Sequence, residues 1–250
     1  MNIEWNADKY TKDFSFVHQY GNSVLELIGK EKGSSVLDLG CGNGVLTKEL
    51  ADRGYRSVGL DESSGLLNIA RNEYPEITFI QGDAAGFSLD EQFDIVFSNA
   101  VFHWIDKEKQ PDMMKCVYNA LKTNGEFVFE FGGFGNNQKI HNALSAEFQK
   151  EGKDYKNPFF FPTIGEYASL LEQAGFKVVY ATLFDRFTEL KGDDGLKDWI
   201  LMFVKKPFEN IAIDKEKVIS NAVKQLQSEL YQNGKWYADY VRLRMKVIKK

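Results

Sequence analysis

Val36-Leu-Asp-Leu-Gly-Cys-Gly-Asn-Gly-Val45 decides how the rest of the chain is read. Val36, Leu37 and Leu39 form a short apolar run suited to a strand buried on both faces, and Gly40, Gly42 and Gly44 break it. A helix follows: Leu46 and Leu50, one turn apart, can face a sheet while Lys48 and Glu49 face water. A glycine turn in this place presents bare backbone N–H groups at a helix N-terminus, where a nucleotide-like ligand can approach the main chain closely. A dinucleotide fingerprint, G-x-G-x-x-G, sets its last glycine three residues after the one before; here Gly44 follows Gly42 by only two. Asp38 lies just ahead of Gly40, where a carboxylate would repel a pyrophosphate and suit a cation.

The turn therefore favours a positively charged ligand without phosphate, a description that S-adenosylmethionine fits. Asp61 ends the next apolar run, Ser57-Val-Gly-Leu60, and an acid at that strand end can accept hydrogen bonds from ribose hydroxyls. A nicotinamide enzyme would use such an acid in the same way, so the glycine spacing makes the choice. Ser63 can cap a helix carrying Leu66, Leu67 and Ala70. Ile77 to Ile80 reads as strand three, and Asp83 and Ala84 follow it on the same rim. There Asp83 can meet an adenine amino group or cap its own loop. Phe93 to Phe97 is strand four, opening into Ser98-Asn-Ala-Val-Phe-His-Trp104.

Composition bounds the function. With 250 residues and a net charge of −5, the chain is long enough for one large α/β domain and is a poor match to a nucleic-acid polyanion. Two cysteines, Cys41 and Cys116, make no disulfide framework and have no zinc-ligand company, which points to a reducing, cytoplasmic compartment. No run approaches the ~20 apolar residues of a membrane span. The pattern calls for no metal and no membrane.

Outside the glycine stretch the chain reads as follows. A helical leader, residues 1–29, carries Trp5, Tyr10, Phe14, Phe16 and His18, aromatics that either pack on the sheet edge or close over a ligand. Pro111 starts a helix with Met114, Val117, Tyr118 and Leu121 on one face, and Asn124-Gly125 is expected to stop it. Strand five is Glu126 to Phe131, and a helix runs from about Gln138 to Lys150. After the aromatic loop Phe159 to Pro162, Thr163-Ile-Gly-Glu166 is a capping box, and Phe176 to Leu183 is strand six. Residues 190–234 hold two amphipathic helices, one with Leu196, Trp199, Ile200 and Phe203, the other with Val218, Ala222, Leu226 and Leu230. They are expected to form a lid. Tyr240 to Ile248 alternates with period two and reads as a last strand.

With the turn and the acids in hand, residues 34–131 resemble the class I S-adenosylmethionine-dependent methyltransferases. The resemblance implies a single Rossmann-like α/β domain over residues 1–250, doubly wound, with seven strands in the order 3-2-1-4-5-7-6. Strand seven, Val241 to Ile248, is then antiparallel. It also implies that Asp38, Gly40, Cys41, Gly42 and Gly44 hold the methionine end of the cofactor, Asp61 the ribose, Asp83 and Ala84 the region of adenine. Asn99 lies beneath the cofactor, and Trp5 and Tyr10 are counted with these contacts. Trp5-Asn-Ala, His103-Trp104 and Trp199 ahead of Pro207-Phe208 look like the subgroup that includes trans-aconitate methyltransferase, with malonyl-carrier-protein methyltransferases more distant.

Such relatives methylate carboxylates. A carboxylate is ionised at neutral pH and needs no base, only cationic or hydrogen-bonding groups to hold it; Arg186, Arg242, Arg244 and His103 are the candidates, with Trp104 and Trp199 beside them. A hydroxyl or nitrogen acceptor would need His103 as base. A catalytically silent cofactor-binding protein is the third reading. The expected partner is a small-molecule acceptor met by a monomer or weak homodimer.

Overall fold

The computed structural model describes residue 21 and residues 23–250. Strand β1 (Ser35–Leu39) is buried along its whole length, followed by α1 (Val45–Asp52), β2 (Arg56–Asp61), α2 (Ser64–Glu73) and β3 (Thr78–Gln81). Next come β4 (Phe93–Asn99), α3 (Gln110–Ala120), β5 (Leu121–Gly132), α4 (Gln138–Lys150), α5 (Ile164–Gln173) and β6 (Phe176–Leu190). The chain ends with α6 (Gly195–Phe203), α7 (Lys215–Leu230), the short β7 (Tyr231–Gln232) and β8 (Lys235–Lys249). The sheet order is β3-β2-β1-β4-β5-β8-β6. Strands β1 to β5 pair in parallel, and β8 runs antiparallel between β5 and β6, the place expected of the last strand. The eighth strand is β7, turned back onto β8 by Asn233 and Gly234, both in left-handed backbone.

Alternation along β1 sends Leu37 and Leu39 into one core with α3 and α5, and Val36 into another with Leu46 and Leu50 of α1. Helices thus cover both faces, as parallel strands require. The capping devices read from the sequence are in place: Ser63 Oγ accepts from Leu66 N, and Thr163 and Glu166 cap each other. One stop signal is not. The helix from Pro111 ends at Ala120, because Leu121 is already extended and pairs with Phe93; Asn124 and Gly125 instead turn the chain inside β5.

Both late strands are longer than the sequence pattern suggested. β6 and β8 stay paired from Phe176 with Lys249 to Leu190 with Trp236, so a two-stranded ribbon extends past β5. One face of the ribbon, with Leu190, Trp236, Ala238 and Tyr240, joins α4, α6 and α7 in a second core separate from the first.

Candidate active site

The glycine turn sits where β1 ends at the sheet's carboxyl rim, alongside Asp61 at the end of β2 and Asn99 at the end of β4. Gly40 N and Cys41 N both donate to Leu60 O, clamping the turn to β2. Gly40 has φ 78, and a Cβ there would meet Val101 at 2.3 Å. Gly42, at φ 55, is open on its side-chain face, with nothing nearer than 3.9 Å. That bare, unfilled backbone is a cradle for a ligand.

Two carboxylates flank it. Asp61, nearly fully buried, accepts from Gly42 N at 2.9 Å and from Ser63 N at 2.8 Å, so it ties the turn to the start of α2; burial holds its carboxyl above the usual range. Asp38 accepts from Thr47 Oγ1 at 2.7 Å. Burial, with the Asp61 charge adding to it, pushes Asp38 up to about 7, and no cation pairs with it among the described residues. A buried acid in that condition suits an arriving cation. Asp83 lies two residues past β3, exposed, with Oδ1 accepting from Ala85 N. The Cys41 and Ala84 side chains are packed in the core. Trp5 and Tyr10 lie outside the described residues.

Beyond the turn the rim opens into a small cavity walled mainly by aromatic rings. Ala100, at φ 62, is the pivot: its N–H donates to Glu130 O, and the chain swings from β4 into a 3₁₀ turn, Phe102–Trp104. An alanine in left-handed backbone is strained, and strain of this kind concentrates at functional sites. The turn presents His103 and Trp104 to the cavity. Facing them are Phe159 and Phe161 from the loop after α4, Trp199 and Phe203 of α6, and Tyr240 and Arg242 of β8. Trp199 Nε1 donates to Tyr240 Oη at 2.6 Å, and the Arg242 guanidinium lies 4.4 Å from the Tyr240 ring.

His103 is buried. Burial and the nearby Arg242 charge hold its pKa well below 6.5, so the ring is neutral at physiological pH. Its Nδ1 accepts from Gly132 N at 3.3 Å, which places the ring proton on Nε2. Of the three arginines expected to grip an acid, only Arg242 lines the cavity. Arg186 makes a bidentate pair with Glu130, and Arg244 bonds Glu130 and Ser23. Glu130, 2% exposed, is a residue that sequence reasoning missed; its signal was its register opposite Arg244. Asn136 and Asn137, after the Gly132-Gly133 break, also line the cavity and were missed.

A methyltransferase-domain family model matches residues 36–125. An uncharacterised methyltransferase of Schizosaccharomyces pombe is 34% identical over 96% of this chain and 96% of its own. A trans-aconitate 2-methyltransferase of Deinococcus radiodurans is 27% identical over 79% of each chain. Among solved structures, a Haemonchus contortus phosphoethanolamine N-methyltransferase holding S-adenosylhomocysteine shares the fold. That likeness has a TM-score of 0.59 at 16% identity, over 92% of this chain and 52% of that one. The turn, its paired acids and the full-length relative agree: the chain belongs to the S-adenosylmethionine-dependent methyltransferases.

Proposed function

We propose that the protein methylates a carboxylate of a small, partly apolar acid seated in the aromatic cavity. The cofactor supplies an electrophilic methyl group when bound. In this reading Asp61 accepts from the ribose hydroxyls, and Asp38 with the Gly40–Gly44 backbone holds the methionine end. Asp83 lies toward adenine and Asn99 beneath the ligand, with Trp5 and Tyr10 adding cover.

The observation that carries the choice of acceptor is the Gly132 N–H on His103 Nδ1. With the proton on Nε2, His103 offers the cavity a donor and no basic lone pair. Arg242 offers more donors. An acceptor that arrives already ionised, as a carboxylate does with a reference pKa near ~4, needs nothing else. The rings around it exclude water, and the donors orient one carboxylate oxygen. Resemblance to a trans-aconitate methyltransferase supports the same choice. Trp199 and Phe203 place α6 over the cavity, which supports residues 190–234 acting as the cover of a single domain. Added S-adenosylhomocysteine should then slow hydrogen exchange in Gly195–Phe203, and unchanged exchange there would remove the cover role. Both cysteines are unpaired, in keeping with a reducing cytoplasmic setting.

Methyl-labelled cofactor incubated with panels of small acids, alcohols and amines tests the reading. Label should appear in base-labile esters of acids. Label in ethers or methylamines instead would overturn the carboxylate, and tight cofactor binding with no transfer to any acceptor would favour a silent binding protein.

A further inference from the structure

Hydrogen-bonding groups in the cavity are largely engaged by the protein itself. His103 Nδ1 takes Gly132 N–H, and Asn136 Oδ1 takes Val241 N–H at 2.9 Å. Asn137 differs. It is 2% exposed, it is one of the residues lining the cavity, and its Oδ1 is buried with no partner among the described residues. A buried amide left unpaired costs free energy, so such a group in a binding cavity is set for a ligand. Its backbone is locally well fixed: Asn137 N donates to Asp239 O, and Asn137 O accepts from His141 N in the first turn of α4.

We infer that Asn137 is a specificity-determining residue that reads a hydroxyl on the acid acceptor. The inference rests on the carboxylate reading above. Arg242 and the His103 Nε2–H supply donors, which a carboxylate satisfies; an amide oxygen needs the opposite, a ligand group that can donate. A hydroxyl can also accept, so it bonds the amide in either orientation of its oxygen and nitrogen. The preferred substrates are therefore hydroxy acids with an apolar body, rather than plain acids of the same shape.

A structural account of Asn137 competes with this one. The residue has φ 53, a left-handed conformation that asparagine tolerates well, and it precedes a helix. Asn137→Gly separates the two accounts, because glycine keeps the backbone and removes only the amide. The probes are matched pairs, 3-phenyllactate against 3-phenylpropionate and malate against succinate. The readouts are kcat/KM for methyl transfer by the full chain and acid affinity in the complex with S-adenosylhomocysteine. In the native protein the hydroxy acid should be favoured by at least about tenfold in one pair, since a site built to bond a hydroxyl rejects its absence strongly. In Asn137→Gly the preference should be lost, the two members of each pair becoming equal.

If acids bind and react with no hydroxyl preference, or if the preference persists in Asn137→Gly, the inference is overturned while the carboxylate reading stands. If no acid in either pair binds or reacts, while alcohols or amines accept the methyl group, both fall together.

Discussion

In the reading proposed above, the cofactor half and the acceptor half of the site are built in opposite ways. The cofactor half is nearly contiguous: a strand, a glycine turn and one acid on the next strand, all between Ser35 and Asp61, closed by backbone bonds from Gly40, Cys41 and Gly42. The acceptor half is gathered from Ala100 to Arg242, with contributions from a strained turn, two loops, a late helix and the last strand. The first is determined by backbone geometry, so its residues are small or acidic and their spacing is rigid. The second is determined by side-chain packing around a second core. Changes in the first should therefore disturb stability and cofactor affinity together, whereas changes in the second should alter acceptor kinetics and leave cofactor binding intact.

The largest expected effect tests that separation in the acceptor half. Arg242→Ala removes a buried cation from the cavity wall, and such losses cost about 2 to 5 kcal/mol. We expect kcat/KM for the acid to fall by roughly 10²- to 10³-fold while calorimetry finds S-adenosylhomocysteine affinity unchanged. A matching loss of cofactor affinity would show that the halves are one unit. In the cofactor half, Gly40→Ala meets both a left-handed backbone and Val101 at 2.3 Å, for an expected destabilisation of about 2 to 4 kcal/mol in urea titrations. Gly42→Ala, open on that side, should cost only about 1 kcal/mol of stability yet still weaken the cofactor by crowding its approach. Equal destabilisation by the two would refute the steric distinction.

This contrast also explains what could be read from the sequence. Apolar runs, the glycine turn and Asp61 announce themselves locally, and the strand order followed, down to β8 between β5 and β6. Glu130 did not, because an acid inside the run Glu126–Phe131 gives no sign that Arg186 and Arg244 converge on it until β8 is laid beside β5 and β6. That convergence holds Arg186 and Arg244 on Glu130 by hydrogen bonds, while Arg242 meets the same carboxylate at 4.0 Å and also lines the cavity. The aromatic loop Phe159–Phe161 was visible as composition, but its place opposite His103 depends on Phe160 N donating to His103 O, a contact no periodicity encodes. The misplaced helix end at Asn124-Gly125 has the same cause: pairing of Leu121 with Phe93 overrides a good local stop signal.

A smaller effect comes from Asp38. Its folded-state carboxyl titrates at about 7 against an ordinary value of 3.8, so without ligand the native state holds a proton that the unfolded chain has lost. The sign follows: this group makes the free protein less stable as pH rises from about 4 through 7, with the full cost present above that. A cationic ligand reverses the preference, favouring the ionised form. Cofactor affinity should then rise up to about tenfold per pH unit from 5.5 to 7 and level off above, and Asp38→Asn should flatten both trends. Affinity independent of pH in the native protein would mean that the cation is held elsewhere.

The smallest expected effect concerns His103, and it sharpens the comparison because the residue belongs wholly to the acceptor half. At saturating cofactor, which removes the Asp38 contribution, kcat for a carboxylate should be flat from about pH 6 to 8.5, since the acid is ionised and the buried imidazole stays neutral throughout. His103→Ala deletes one neutral donor, worth about 1 kcal/mol, and should raise KM several-fold with little change in kcat. His103→Asn, which can still donate, should recover part of that loss. A general base would behave differently: kcat would drop ~10²- to 10⁴-fold in both variants, and the native profile would carry an acid limb abolished by the substitution. Either result would mean that the neutral ring carries its proton on Nδ1 and leaves Nε2 free to take one from the acceptor, so that Nδ1 could not accept from Gly132 N. In that case the acceptor would be a hydroxyl or an amine.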